Sequence, residues 1–164
     1  MALSEPGTSL FEEESDAIKE ELSRLHAQVS ARFTALLDLN GQIIHLLGES
    51  QGLDTTSLAT LIAGSMAATG GLAKLLGENE FSILFHEGER DNLHVALVAQ
   101  RWILVVLFDR RSSIGLVRLK AKKSVDVLVP LVQKTFGRSS EERRARQSSP
   151  LSEITEEDIE RLFT

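Results

Sequence analysis

Cysteine is absent from the 164 residues of this chain, which excludes disulfides, thiolate metal sites and a thiol nucleophile. Stability must then come from burial. That suits a reducing compartment, so the protein is read as cytoplasmic. The start, MALSEPGTSLFEEE, lacks a basic opening, and no stretch of the chain offers ~18 to 20 consecutive apolar residues, so neither a secretory leader nor a transmembrane segment is expected. Positive charge is also short. A formal net charge of −6 argues against a general nucleic-acid binder, whose affinity rests on Lys and Arg displacing counterions from phosphates. Any basic patch has to be local.

Several catalytic patterns are missing as well. No Gly-rich phosphate loop occurs, and no serine sits in a nucleophile elbow. His26, His45, His86 and His94 are scattered one per element without the i, i+4 pairing a metal favours, so neither metal nor cofactor is expected. Arg90, Arg110 and Arg111 fall in loops, where an arginine can reach a partner's phosphoryl group but is more often simply solvated. The chain is therefore read as having no active site of its own.

What is present is organised around Thr55 to Gly77, a helical pattern in which Ala59, Ala63, Ala67 and Gly71 recur every four residues. Large residues Leu58, Leu61, Ile62, Leu72, Leu75 and Leu76 occupy the rest of the cylinder. The expectation is that the large side buries against a sheet and the small stripe stays bare for a partner. Gly64, Gly70 and Gly71 lie inside the same helix, each at about 1 kcal/mol relative to alanine, and close backbone approach is the compensation that explains them. The plainer alternative is a core helix crossing its own sheet tightly. The interface reading takes Ala59, Thr60, Ala63, Gly64, Ala67, Ala68 and Gly71 as the contact surface.

Along the chain, residues 1–10 lack periodicity and read as a flexible start, after which Phe11, Ile18, Leu22, Leu25 and Val29 mark a helix with a solvated acidic face. RFTALLDLNGQIIHLLG reads as two strands around the turn dipeptide Asn40-Gly41. Asp54 or Thr55 caps the organising helix, and Gly77 ends it. Strands follow at Phe81 to His86, Leu93 to Ala99 and Trp102 to Asp109. The last, WILVVLFD, is apolar without alternation, which implies burial on both faces and helices on both sides of the sheet. Ser112 or Ser113 caps a third helix carrying Ile114, Val117, Ala121, Val125, Leu128 and Val132, with a kink or early end expected at Pro130. One folded domain, 11–136, results. GRSSEERRARQSSP, 137–150, reads as a disordered linker from its lack of apolar residues. In 151–164, Thr155 caps a short amphipathic recognition helix in which Ile154 staples to Ile159, and Leu162 and Phe163 extend the docking face.

The segments DTTSLATLIAGSMAATGGLAKLLGENEF, FHEGERD, VVLFDRRSSIGLVRLKAKK and ITEEDIERLF, in this order and spacing, resemble the roadblock family, and within it the bacterial regulators of cell polarity and gliding motility. The resemblance implies an α+β, three-layer α/β/α fold, with a five-stranded antiparallel sheet, one helix on one face and two on the other. It implies homodimerisation through antiparallel second helices and edge-to-edge third strands, here Phe81, Ile83 and Phe85. It also implies a GTP-bound Ras-like small GTPase of the MglA type as partner, one per dimer, and a location concentrated at a cell pole. The activity implied is GTPase activation by repositioning a catalytic arginine and glutamine that the GTPase already owns. Two other functions remain open on the residues: a dimeric scaffold without effect on a nucleotide cycle, and a small-ligand sensor, which requires an apolar cavity of ~300 Å³ beneath a helix.

Overall fold

The structure, a computed structural model, describes residues 6–147 and 156–163. The chain divides into two compact units, Met1–Val132 and Gln133–Thr164. In the first, helix α1 (Pro6–Gln28) leads into strands β1 (Phe33–Asp38) and β2 (Ile43–Gly48), followed by helix α2 (Thr55–Leu76). Strands β3 (Ile83–Glu87), β4 (Asn92–Val98) and β5 (Trp102–Phe108) come next, and helix α3 (Ile114–Gln147) begins in this unit and ends in the second. The sheet order is β2-β1-β5-β4-β3, with every neighbouring pair antiparallel.

Alternation along the strands builds two cores. Phe33, Ala35 and Leu37 of β1, Ile103, Val105 and Leu107 of β5, and Val95 of β4 cluster with Ala59, Ile62, Ala63 and Met66 of α2. Their neighbours in sequence, including Thr34, Leu36, Leu104, Val106 and Phe108, are buried too, because successive strand side chains point to opposite faces. On that second face His26 Nδ1 of α1 lies 3.1 Å from Thr34 Oγ1. Ser124 Oγ of α3 donates to Glu21 Oε1 of α1 at 2.8 Å, a buried bond that ties these two helices together. Strand β5, apolar throughout and buried from Ile103 to Phe108, is thus covered on both sides. Each fully buried side chain of Leu or Phe size contributes roughly 1.5–3 kcal/mol, which places the stability of the fold along β1 and β5. His94, also buried on the second face, is held below its ordinary pKa first by burial and then by Arg118, so it packs as a neutral ring.

The β1–β2 hairpin turns at Asn40-Gly41 as expected. Asp38 accepts the backbone N–H groups of Asn40 and Gln42, each at 2.9 Å, and only Gly41 takes a positive φ, 86°. A Cβ at Gly41 would lie 2.9 Å from Thr60 Cα and 3.0 Å from Ala59 O, so this turn rests directly on the backbone of α2. The β4–β5 turn is shifted by one residue from expectation: Ala99 and Gln100 are left-handed, at 51° and 59°, and Arg101 N–H bonds Val98 O at 3.1 Å.

Three boundaries are corrected. Helix α1 starts at Pro6, not Phe11, because proline at a first helical position gives up only an N–H that has no helical acceptor; residues 1–5 lie outside the described residues. Helix α3 neither ends nor breaks at Pro130. Leu128 and Val132 are fully buried on either side of it, and that burial exceeds the loss of one backbone hydrogen bond. The third correction is to the linker, since residues 137–147 continue α3 as helix. Arg, Glu, Ala and Gln are good helix formers, and extending a nucleated helix requires fixing only one residue per added bond. Residues 148–150 lie outside the described residues. In the second unit, helix α4 (Glu156–Leu162) is seven residues long, and Leu162 and the following Phe163 are exposed. Ile154 and Thr155, and with them the expected cap and staple, lie outside the described residues.

Candidate functional site

Helix α2 is closed at both ends by its own sequence. Asp54 caps it, accepting from Ser57 N–H at 3.1 Å and from Ser57 Oγ at 2.6 Å. These bonds, the hydroxyl first and the backbone N–H second, hold the Asp54 carboxyl below the usual carboxylate range. At the other end Gly77 is left-handed, φ 74°, with its N–H bonded to Lys74 O and the next N–H, of Glu78, bonded to Ala73 O at 2.9 Å. This is a Schellman closure that only a residue tolerant of positive φ supports. Polar residues inside the helix are satisfied locally: the hydroxyls of Thr60, Ser65 and Thr69 donate to the carbonyls of Thr56, Leu61 and Ser65.

The helix has two faces, and they divide differently from expectation. Ala59, Ile62, Ala63, Met66, Thr69 and Ala73 are buried. Ala59 and Ala63, 3% and 6% exposed, therefore form the close contact with the chain's own sheet and hairpin turn and do not belong to a bare stripe. Alanine there lets the helix backbone settle onto Gly41. The large residues Leu61, Leu72, Leu75 and Leu76 point away from the sheet instead, at 69%, 54%, 85% and 68% exposure. Between them on the outer surface lie Thr60, Gly64, Ala67, Ala68 and Gly71, all exposed. Among the described residues a Cβ at Gly64, Gly70 or Gly71 would meet nothing within 4 Å, so no close contact among them compensates the helix for those glycines. Leucines 61, 72, 75 and 76 are the residues missed in the sequence; for the first three the spacing from Ile62 and Met66, the centre of the inner face, is the signal that locates them outside, whereas Leu76 is the last residue of the helix.

Beside the C-terminal half of α2 runs an open groove of about 700 Å³, lined by Ala67, Gly70, Gly71 and Lys74, by Phe81 before β3, and by Leu97. Phe81 belongs to this groove and not to the edge strand, which begins at Ile83. Ile83 and Phe85 are in β3, the outermost strand at that end of the sheet. Phe85 turns to the second face, its ring 6.2 Å from that of Phe108, while Ile83 is partly exposed. Beneath α2 the space between Leu58, Ala59, Ile62 and the sheet amounts to about 10 Å³, too small for a ligand. Among the described residues no three His, Asp or Glu side chains gather as a metal site. By length and composition α2 is apolar enough to cross a membrane; in this structure its inner face covers the sheet.

The model of the Roadblock/LC7 domain matches residues 18–108, from the middle of α1 to the end of β5. The chain belongs to the Roadblock/LC7 family. Among solved structures, it is similar to Myxococcus xanthus MglB, with 50% sequence identity and a TM-score of 0.68 over 71% of this chain and 95% of that one. It is also similar to the gliding protein MglB of Thermus thermophilus, with 31% identity and a TM-score of 0.69 over 74% of this chain and 92% of that one. A structure described as MglB with a tetrameric arrangement matches at 31% identity and a TM-score of 0.68, over 74% of this chain and 91% of that one. No curated protein sequence matches. As a roadblock domain of MglB type, the chain has the five-stranded antiparallel sheet and three-layer α+β architecture implied by its sequence resemblance.

Proposed function

We propose that the protein is an MglB-type regulator of a Ras-like small GTPase of the MglA type, and that as a homodimer it raises the rate of GTP hydrolysis by its partner. The observation that carries this reading is the 50% identity to Myxococcus xanthus MglB across 95% of that chain. The outer surface of α2 supports it: four exposed leucines interleaved with three glycines, at which an added Cβ would meet nothing within 4 Å among the described residues, make an apolar strip on which a second backbone can lie closely. In this reading Thr60, Gly64, Ala67, Ala68 and Gly71 serve the dimer and the GTPase, and β3 pairs with its copy through the edge holding Ile83 and Phe85. The catalyst is the GTPase. Dimer contacts favour the conformation in which its own arginine and glutamine surround the transferring phosphate, and this chain supplies no catalytic group. Residues Ile154, Ile159, Leu162 and Phe163 are assigned to docking on the GTPase, tuning its affinity or nucleotide exchange. The protein acts in the cytoplasm, concentrated at a pole, in cell polarity and gliding motility.

The test is GTP hydrolysis by the cognate GTPase with and without excess protein. Acceleration is expected. A rate equal to that of the GTPase alone, with binding retained, assigns the protein to the other class, a dimeric scaffold. Removal of residues 148–164 is expected to leave dimerisation and basal activation intact while weakening GTPase binding or altering GDP release; unchanged affinity, exchange and hydrolysis would remove the tail from the partnership.

A further inference from the structure

Where β1 begins and β5 ends, Arg32, Arg90, Asp91, Asp109, Arg110 and Arg111 surround an open pocket of about 500 Å³. None of these residues belongs to α2, and none enters the function proposed above. Two of the arginines are walls. Arg32 Nη1 donates to Asp91 Oδ2 at 2.7 Å, with its Nε 3.8 Å from Glu49. Arg111 forks onto Asp109, Nε to Oδ1 at 3.1 Å and Nη2 to Oδ2 at 3.2 Å, and its backbone N–H bonds the same carboxylate at 3.0 Å. These pairs raise both guanidinium pKa values, through the aspartate hydrogen bonds first, and they hold the two loops in place. The β3–β4 loop is closed further by Gly88 N–H on Asp91 O at 3.1 Å.

Arg90 and Arg110 differ. Both are exposed, and neither has a hydrogen bond or ion pair among the described residues. Each sits one residue from a fixed aspartate or arginine, so its backbone is positioned while its guanidinium remains free. The pocket also opens a basic tract: from Arg110 to Val125 there are six cations, Arg110, Arg111, Arg118, Lys120, Lys122 and Lys123, and the next acid is Asp126. A chain of net charge −6 thus carries an excess of cations along this segment, although Glu87 and Glu89 precede Arg90, and such an excess attracts anionic partners and orients their approach.

We propose that this pocket docks a carboxylate-rich segment of a partner protein, gripped by the guanidinium forks of Arg90 and Arg110. A planar guanidinium matches a carboxylate with two parallel hydrogen bonds, and two free forks accept two acidic side chains. Asp91, Asp109 and Glu49 lie around the same pocket. They oppose a run of phosphates or an anionic bilayer far more than a pair of singly charged carboxylates, which favours protein over nucleic acid or lipid.

The experiment titrates the full chain with a hexaglutamate peptide, following the arginine Nε–Hε resonances by NMR and the affinity by calorimetry. Shifts confined to Arg90 and Arg110 are expected, with affinity falling when ionic strength is raised. Arg90→Ala/Arg110→Ala is expected to weaken binding about tenfold or more, with an unchanged melting transition, because neither side chain has a folding partner to lose. Arg90→Lys/Arg110→Lys, which keeps charge and loses the fork, is expected to fall between. No binding at millimolar peptide, or binding unaffected by the double alanine variant, overturns the proposal. So does pyrophosphate or an anionic lipid vesicle that binds more tightly than the peptide with the same arginine dependence. Dimerisation and GTPase activation, measured in the same variants, stay at wild-type level if this site is separate from the α2 surface, so failure here leaves the reading of α2 untouched.

Discussion

The two faces of α2 are built from the same small residues and have opposite fates. On the inner face Ala59 and Ala63 are buried against the sheet, and the hairpin turn at Gly41 sits so close that an added Cβ would lie 2.9 Å from Thr60 Cα and 3.0 Å from Ala59 O. On the outer face Gly64, Ala68 and Gly71 stand exposed among Leu61, Leu72 and Leu75. A small residue in a helix thus marks close approach only on the inner face; on the outer face the same residue types stand in open space. Inner positions answer to folding energetics, and outer ones, in the function proposed above, to assembly.

Substitutions separate the two faces along a scale of falling effect on stability. Ala59→Arg forces a long charged side chain into a space of about 10 Å³, and overpacking plus an unpaired buried charge is expected to destabilise the domain by about 4 kcal/mol or more. Urea denaturation followed by circular dichroism reads this directly, and a near-neutral result would show that Ala59 is not a core position. Gly41→Val comes second. Its Cβ would press on the α2 backbone at 2.9 Å from a residue already at φ 86°, for an expected loss of about 2–3 kcal/mol.

Outer positions change sign. Gly64→Ala and Gly70→Ala enter open space at helical φ and are expected to stabilise the isolated domain by about 0.5–1 kcal/mol each through the unfolded chain's entropy. Thermal melts at low protein concentration test this; loss of stability instead would place an intrachain contact where none is seen. Ala68→Arg has the smallest expected effect on the fold, within about 0.5 kcal/mol, as for a surface substitution. Its consequence lies in assembly, where light scattering is expected to report loss of the dimer and a pull-down loss of the GTPase. A variant that stays dimeric and binds the GTPase normally would break the assignment of the outer face.

Element order was legible because each element carries its own punctuation. Asn40-Gly41, Asp54 and Gly77 mark turn, cap and stop through local backbone chemistry alone, and the unalternating run of β5 announced burial on both faces. Errors arose where local signals compete. Pro130 argues for a break, but burial of Leu128 and Val132 outweighs it. The stretch 137–147 is polar enough to read as linker, yet its residues extend an existing helix readily. Of the residues expected on the bare face of α2, Thr60, Gly64, Ala67, Ala68 and Gly71 are exposed while Ala59 and Ala63 are buried. Reading α2 by side-chain size put the leucines inside; reading by angle about Met66 puts Ile62, Ala63, Thr69 and Ala73 inside and leaves Leu61, Leu72 and Leu75 out.

By itself the sequence determined the segments that form helices and strands, the closed ends of α2 and the absence of any thiol chemistry, since these depend on residues near one another in the chain or on composition. Only the tertiary structure decided which side of α2 the sheet covers. It also decided that Arg32, Arg90, Asp91, Asp109, Arg110 and Arg111 meet in one pocket, because that meeting depends on strand register, which joins residues dozens of positions apart and leaves no trace in local spacing.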